Sequence, residues 1–81
     1  MIAVTKVQPL DDYKLLLMFS NSEQKVFDMS SYLNHGIFIE LKDKKIFNSV
    51  RISFDSIEWN NGADLCPDVL YEKSKKFDKI K

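Results

Sequence analysis

Residues 13–19 constrain the fold most, because this stretch carries apolar side chains on both of its faces when it is extended. Successive side chains of a β-strand point to opposite sides. One face carries Tyr13, Leu15, Leu17 and Phe19, and the other carries Leu16 and Met18. A strand that is apolar on both sides is typical of the middle of a sheet whose two faces are covered. We therefore expect a central strand here.

Two further strands are predicted beside it. Residues 2–8 form the first, and it ends in a turn over residues 9–12, where Pro9 lacks an amide hydrogen and two aspartates favour a turn. A polar turn cluster at residues 20–23 separates the central strand from a third strand over residues 24–28. The chain therefore opens with a three-stranded β-meander.

A short helix is predicted next, over residues 29–34. The Asp28 carboxylate can accept hydrogen bonds from the free amides at its start, and Gly36 supplies the positive φ that commonly ends a helix.

Residues 37–41 fit two patterns, helical spacing and strand alternation, and helix is favoured. Residues 43–48 are predicted to form a further helical turn that buries Ile46 and Phe47.

A later pair of strands is predicted from alternation. Apolar and polar side chains alternate over residues 50–55. After a bend at residues 55–56, Ile57 and Trp59 share one face, and the polar face of this strand is expected to meet water. Trp59 is thus expected in the core.

The last helix is predicted over residues 67–73 or beyond, because Pro67 is tolerated in the first turn of a helix. It is expected to pack Leu70 and Tyr71 against the core, with Asp64 as its cap. The lysine-rich residues 75–81 have few apolar side chains to anchor them and are expected to fray.

The expected fold is a single α+β domain over residues 1–74: a small antiparallel sheet, made of the meander and the later strand pair, with two or three short helices. Its 81 residues have room for one hydrophobic core.

Composition argues against several classes of function. Twelve basic and twelve acidic residues cancel, so direct nucleic-acid binding is not expected. Two glycines are too few for a phosphate-binding loop, and His35 and Cys66 form no spaced pair of metal ligands. Cys66 is expected to be a small buried apolar side chain. No cofactor, no catalytic constellation and no membrane segment is predicted, and the single cysteine favours the cytoplasm.

One stretch resembles a known family. Residues 57–71 carry Trp59, then Gly62-Ala63-Asp64, Pro67 and Leu70-Tyr71, and this ending resembles the bacterial family called domain of unknown function 2442 (DUF2442). Upstream positions agree with it over residues 4–72; they are Asp12 to Leu15, Val26 to Asp28, Gly36, Phe38, Leu41 and Phe47. Asn60 departs from the family, which often has proline there.

The resemblance implies a small α+β fold without an established activity. In some relatives a helix-turn-helix domain follows, and others sit beside a second small gene in the manner of toxin and antitoxin pairs. The leading hypothesis is therefore a module that binds a partner protein, of a regulatory or antitoxin-like kind, with homo-oligomerisation left open.

The alternative is a domain that binds a small ligand or acts as an enzyme, using Asp28, Trp59, Asp64 and Tyr71, since aromatic rings beside carboxylates can line a polar pocket. Gly62 of the shared motif completes the candidate binding residues. Core packing and helix capping explain the same residues without a site.

Overall fold

Two antiparallel sheets form the framework of the computed structural model, which describes residues 2–77. The first sheet has the strand order β1-β2-β3-β7, and the second has the order β4-β5-β6. The strands are β1 Val4–Leu10, β2 Lys14–Phe19, β3 Gln24–Asp28, β4 Arg51–Ser53, β5 Ser56–Glu58, β6 Asp64–Leu65 and β7 Lys75–Lys76. The helical elements are 3₁₀ turns at Asp11–Tyr13, Ser30–Tyr32 and Gly36–Lys42, with α1 at Lys44–Phe47 and α2 at Pro67–Lys73. The predicted α+β class and the opening meander are confirmed.

β2 is the central strand of the first sheet, as its sequence pattern predicts, and it pairs with β1 and β3. Its inward side chains Leu15, Leu17 and Phe19 are buried. Leu16 and Met18, on the outer face, are only half-buried. The expectation that both faces of β2 are covered is therefore right for one face alone.

The turn after β1 comes later than predicted. Pro9 lies inside β1, opposite Leu15. Because β1 is an edge strand, proline removes no essential hydrogen bond from the sheet there. The turn itself is made by Asp11–Tyr13, with positive φ at Asp12 and Tyr13.

The expected fraying from residue 75 onward is wrong for the first residues of that segment. Lys75 and Lys76 form β7, which pairs with Val26 and Lys25 of β3. The Phe77 amide also donates to the Gln24 carbonyl at 3.0 Å. Backbone pairing holds this segment although its side chains are exposed, and sequence hydropathy does not report backbone pairing. Residues 78–81 lie outside the described part of the chain.

The middle of the chain is helical, as predicted. Asp28 Oδ1 accepts a hydrogen bond from the Ser30 amide at 2.9 Å and so starts the 3₁₀ turn Ser30–Tyr32. Gly36–Lys42 is a 3₁₀ helix, which confirms helix over strand for residues 37–41. Gly36 has a φ of 53°, and it begins this second helix.

α1 starts at a side-chain cap. Asp43 Oδ1 accepts from the Lys45 amide at 2.9 Å. Phe47 of this helix is buried and Ile46 is half-buried, close to the prediction.

The second sheet differs most from the expectation. The strand predicted over residues 50–55 is limited to β4, and the turn to β5 is made by Phe54 and Asp55, one residue earlier than predicted. β6 was not predicted, because a strand of two residues is too short to show a period. Ser56, expected to meet water, is buried, and its hydroxyl donates to the Leu65 carbonyl of β6.

α2 begins at Pro67, as predicted, and ends at Lys73, but Asp64 does not cap it. Cys66 occupies the cap position, without a side-chain hydrogen bond, and is exposed rather than buried as expected. Asp64 is held two residues earlier, in β6 opposite Glu58. Pairing with β5 fixes the backbone of Asp64 in a strand. Its side chain is therefore not at the start of α2, where a cap would have to lie.

Trp59 lies at the centre of the core and is fully buried. Its indole Nε1 donates to the Phe47 carbonyl at 3.0 Å, and its ring contacts Phe38 edge-on and Phe47 at a tilt. Its backbone amide donates to the Ala63 carbonyl at 2.9 Å. One residue thus joins the second sheet to both helical segments of the middle chain.

Replacing this residue tests the core directly. We expect Trp59→Ala to lower the free energy of unfolding by about 3–5 kcal/mol, because it leaves a large cavity and an unpaired carbonyl. The matched control is Phe54→Ala at an exposed position, which should stay within about 0.5 kcal/mol of the parent. Urea unfolding measures both changes, and equal losses would show that Trp59 is not the main core residue.

Candidate functional site

The turn between β4 and β5 presents an exposed aromatic side chain. Phe54 is 97% exposed, and it follows Ile52, which is 39% exposed. Phe54 has a φ of 48° and Asp55 a φ of 67°. Positive φ at both residues of a two-residue hairpin turn defines type I′, for which asparagine and glycine are preferred. The hairpin tip therefore holds a large apolar side chain in water and in a strained backbone conformation.

A second aromatic residue shows how such strain is usually compensated. Tyr13 has a φ of 60° at the β1–β2 turn. Its ring packs edge-on against Phe47 at a centroid distance of 5.3 Å, and its hydroxyl donates to the Lys42 carbonyl at 2.6 Å. The contacts of Tyr13 offset its strain within the chain, and the exposure of Phe54 shows that its side chain has no comparable packing.

An apolar groove lies beside this hairpin. It measures about 430 Å³ and is formed by β1, the outer face of β2, and β4. Its apolar lining is Val7, Leu16, Leu17, Met18, Val50 and Ile52, and its polar lining is Thr5, Lys6, Gln8, Gln24 and Arg51. We call it the β1–β4 groove. It includes the half-buried outer face of β2, and Leu17 of the buried inner face borders it.

The charge of the β1–β4 groove is positive. Lys6 and Arg51 line it, and none of the described residues that line it is acidic. Arg51 is held by Glu58 at 3.5 Å and by Asn60 at 3.0 Å. The groove thus combines apolar lining residues with Lys6 and with Arg51, whose charge is partly balanced by Glu58.

A separate groove of about 460 Å³ is lined by Phe54 and other residues of the hairpin, and it contains Asp64. Glu58 and Asp64 stand opposite each other in neighbouring strands. Like charges in this arrangement repel. Cys66 and Pro67 complete one side of the groove.

The candidate residues Asp28, Trp59, Asp64 and Tyr71 do not converge on one pocket. Trp59 is fully buried. Asp64 lines the groove beside the hairpin, whereas Asp28 lines a different one with Lys14, Val26, Lys73 and Lys75. Gly62 lies in an exposed turn, with a φ of 89° that suits glycine.

Asp28 makes a local turn contact just before the 3₁₀ turn Ser30–Tyr32, whose cap position is held by Met29. The Ser30 backbone amide is the main reason that the pKa of Asp28 lies below its ordinary value, followed by the Ser30 hydroxyl, with smaller contributions from Lys14 and Lys75. An ionised, hydrogen-bonded carboxylate of this kind is a local structural contact.

Tyr71 belongs to a polar cluster that connects α2 with the β2–β3 turn. Its hydroxyl donates to Glu23 Oε1, and Asn21 Nδ2 donates to the same oxygen at 3.0 Å. Lys25 Nζ lies 3.9 Å from the ring centroid and donates to the Tyr71 carbonyl at 2.6 Å. The ring packs edge-on against Phe19 at 5.0 Å. These contacts attach α2 to the first sheet.

The hydrogen bond between Tyr71 and Glu23 shifts both groups. It is the main cause that lowers the pKa of Glu23, and it raises the pKa of Tyr71. A tyrosine that acts as a base needs a pKa moved toward neutrality, the opposite direction. The arrangement therefore suits a structural contact.

Within residues 2–77, no group of three or more His, Cys, Asp or Glu side chains is placed to hold a metal ion. No helix of that part of the chain is long and apolar enough to cross a membrane.

The sequence pattern missed the hairpin tip and the groove. Phe54 continues the alternation of Val50 and Ile52, so it was assigned to a strand. The bend predicted at residues 55–56 lies within one residue of the observed tip. The available signal for the groove is the two-sided apolar pattern of β2, which needs a cover on each face.

The architecture defines a class, a small α+β domain with a four-stranded and a three-stranded antiparallel sheet. Residues 4–76 match the family described as "Protein of unknown function (DUF2442)", and the chain belongs to this family. The resemblance seen in residues 57–71 is thus confirmed. No curated protein and no solved structure matches the chain.

A substitution at Asp64 tests its position in β6. We expect Asp64→Ala to change the free energy of unfolding by less than about 0.5 kcal/mol, because the side chain is exposed and faces a like charge. The matched control is Asp43→Ala, which removes a true cap and should cost about 1 kcal/mol. If Asp64→Ala is the more damaging of the two, the capping role would be restored.

The Tyr71–Glu23 hydrogen bond predicts a pH dependence. The pKa of Glu23 is lowered on folding. Its contribution to stability is therefore present above about pH 4.5 and is lost as the pH falls through its folded pKa. Because the pKa of Tyr71 is raised, its contribution is present below about 10.0 and is lost as the pH rises further. We expect Tyr71→Phe to flatten both limbs of a plot of unfolding midpoint against pH. Superimposable limbs in the two proteins would contradict the assignment. The pKa of Asp28 is also lowered, so its part of the acid limb should remain in both proteins.

Proposed function

We propose that this chain is a protein-interaction module, and that it contacts its partner through the β4–β5 hairpin and the β1–β4 groove. One observation carries the proposal: Phe54 is held exposed in a strained turn, on the same hairpin as Ile52, which lines the apolar groove. Backbone strain in a native protein is retained where the structure uses it, and such positions cluster at functional sites.

The composition of the surface supports the proposal. Aromatic residues, methionine and arginine are enriched where proteins bind one another, and Phe54, Met18 and Arg51 supply these types here. Single exposed apolar residues are ordinary, but a strained aromatic next to an open apolar groove is a contiguous feature.

The regulatory part of the proposal is that the domain acts by binding, as antitoxin-like and other regulatory modules do, without catalysis by this chain. It is supported by the family resemblance and by the separation of Asp28, Trp59, Asp64 and Tyr71 on different surfaces or in the core. The proposal also places the protein in the cytoplasm of a bacterium, as the single cysteine and the family favour.

Photo-crosslinking tests this function. A photoreactive phenylalanine analogue at position 54, expressed in the native cells, should form a defined covalent adduct with a protein. The matched control carries the analogue at position 39, where Ile39 is 47% exposed on the 3₁₀ helix Gly36–Lys42. Mass spectrometry identifies the adducts.

An adduct specific to position 54 supports the proposal, whether the captured chain is another protein or a second copy. The same weak set of adducts at both positions would overturn it.

A further inference from the structure

We propose that the partner is a second copy of this chain, and that Phe54 of each subunit occupies the β1–β4 groove of the other. This inference rests on the proposed function and names the partner of the same surface. The arrangement is a dimer with two-fold symmetry, in which two identical contacts form at once.

The position of the two halves of the contact supports a two-fold dimer. A symmetric dimer needs one surface patch that contains both the protruding group and the groove that receives it. Ile52 lines the β1–β4 groove, and Phe54, which borders the separate groove that contains Asp64, protrudes two residues later on the same hairpin. Because the two features are adjacent, a two-fold axis between them brings each Phe54 to the other subunit's groove.

The groove suits an aromatic side chain. Its volume is about 430 Å³, and its lining includes Leu16 and Met18. Methionine adapts to irregular shapes and makes favourable contacts with aromatic rings. Burying an exposed phenylalanine is favourable, and it would cover an outer face of β2 that residues 2–77 leave half-buried.

The charges are complementary. Asp55 lies next to Phe54 at the hairpin tip, whereas Lys6 and Arg51 line the groove. When Phe54 enters the groove of the other subunit, the Asp55 carboxylate approaches its cationic side chains. Opposite charges brought together in this way favour the intended pairing over unrelated partners. A polyanion such as nucleic acid would instead meet the Asp55 carboxylate at the tip.

The size of the contact indicates a reversible dimer. Each aromatic side chain buries about 150–250 Å². Stable interfaces bury about 1,200–2,000 Å² in total, so the two rings supply only part of that area. We therefore expect monomer and dimer to exchange with concentration.

Sedimentation of the purified 81-residue chain tests the proposal. Between about 1 μM and 1 mM, the range in which small interfaces dissociate, the weight-average mass should rise from one chain to two. Phe54→Asn removes the ring and suits a positive φ, so the variant stays folded, and its dissociation constant should rise at least about tenfold. The matched control is Ile39→Asn, which also replaces an exposed apolar side chain with asparagine but lies outside the hairpin. It should dimerise like the parent.

A mixing experiment tests reciprocity. Ile52→Asp leaves Phe54 intact but places a carboxylate in the groove, where it faces Asp55 of the other subunit. Ile52→Asp and Phe54→Asn should each be monomeric alone, whereas their mixture should form a heterodimer with one intact contact. Circular dichroism confirms that each variant is folded.

The inference is overturned if the parent chain stays monomeric throughout, or if it assembles beyond two chains. It is also overturned if the dimer survives Phe54→Asn, or if the mixture associates no better than its components. If the parent is monomeric and position 54 still crosslinks to a different protein, the proposed function stands and the second copy is excluded. If position 54 gives no specific adduct, the proposed function itself fails.

Discussion

The indole of Trp59 is the contact on which the rest of the structure depends. Its Nε1 bond to the Phe47 carbonyl and its packing against Phe38 join elements that the chain presents in separate segments. Because the backbone of Trp59 is also paired with Ala63, the turn between β5 and β6 is fixed with it. β5 pairs with β4, and the turn between these two strands carries Phe54. The core residue and the exposed residue are therefore parts of one arrangement.

Much of the fold follows from local pattern. The two-sided apolar strand β2, the turn clusters around it and Pro67 at the start of α2 each carry a physical requirement that can be read from a few neighbouring residues. The failures have a common cause, since β6, β7 and the position of Asp64 depend on backbone pairing with distant strands. Such pairing has no signature in the side chains of two residues.

The surface was harder to predict than the core. Alternation at Val50 and Ile52 predicts a strand whether its apolar face is buried or exposed to water. The exposure of Phe54 could therefore be seen only in the structure. The position of Trp59 was predictable because so small a domain has a single core, and a large aromatic on the apolar side of a strand is buried in it. Its neighbours Asp64 and Tyr71 in the shared motif turn out to serve strand pairing and the attachment of α2.

The central claim is that a strained hairpin keeps Phe54 in water until another chain covers it. Fluorine NMR of the protein with para-fluorophenylalanine at position 54 tests this claim at the ring itself. The account predicts a solvent-exposed resonance at low protein concentration that shifts toward a buried environment as the concentration rises, whereas the same label at position 77 keeps its resonance. A resonance at position 54 that stays unchanged over the whole concentration range would contradict the account.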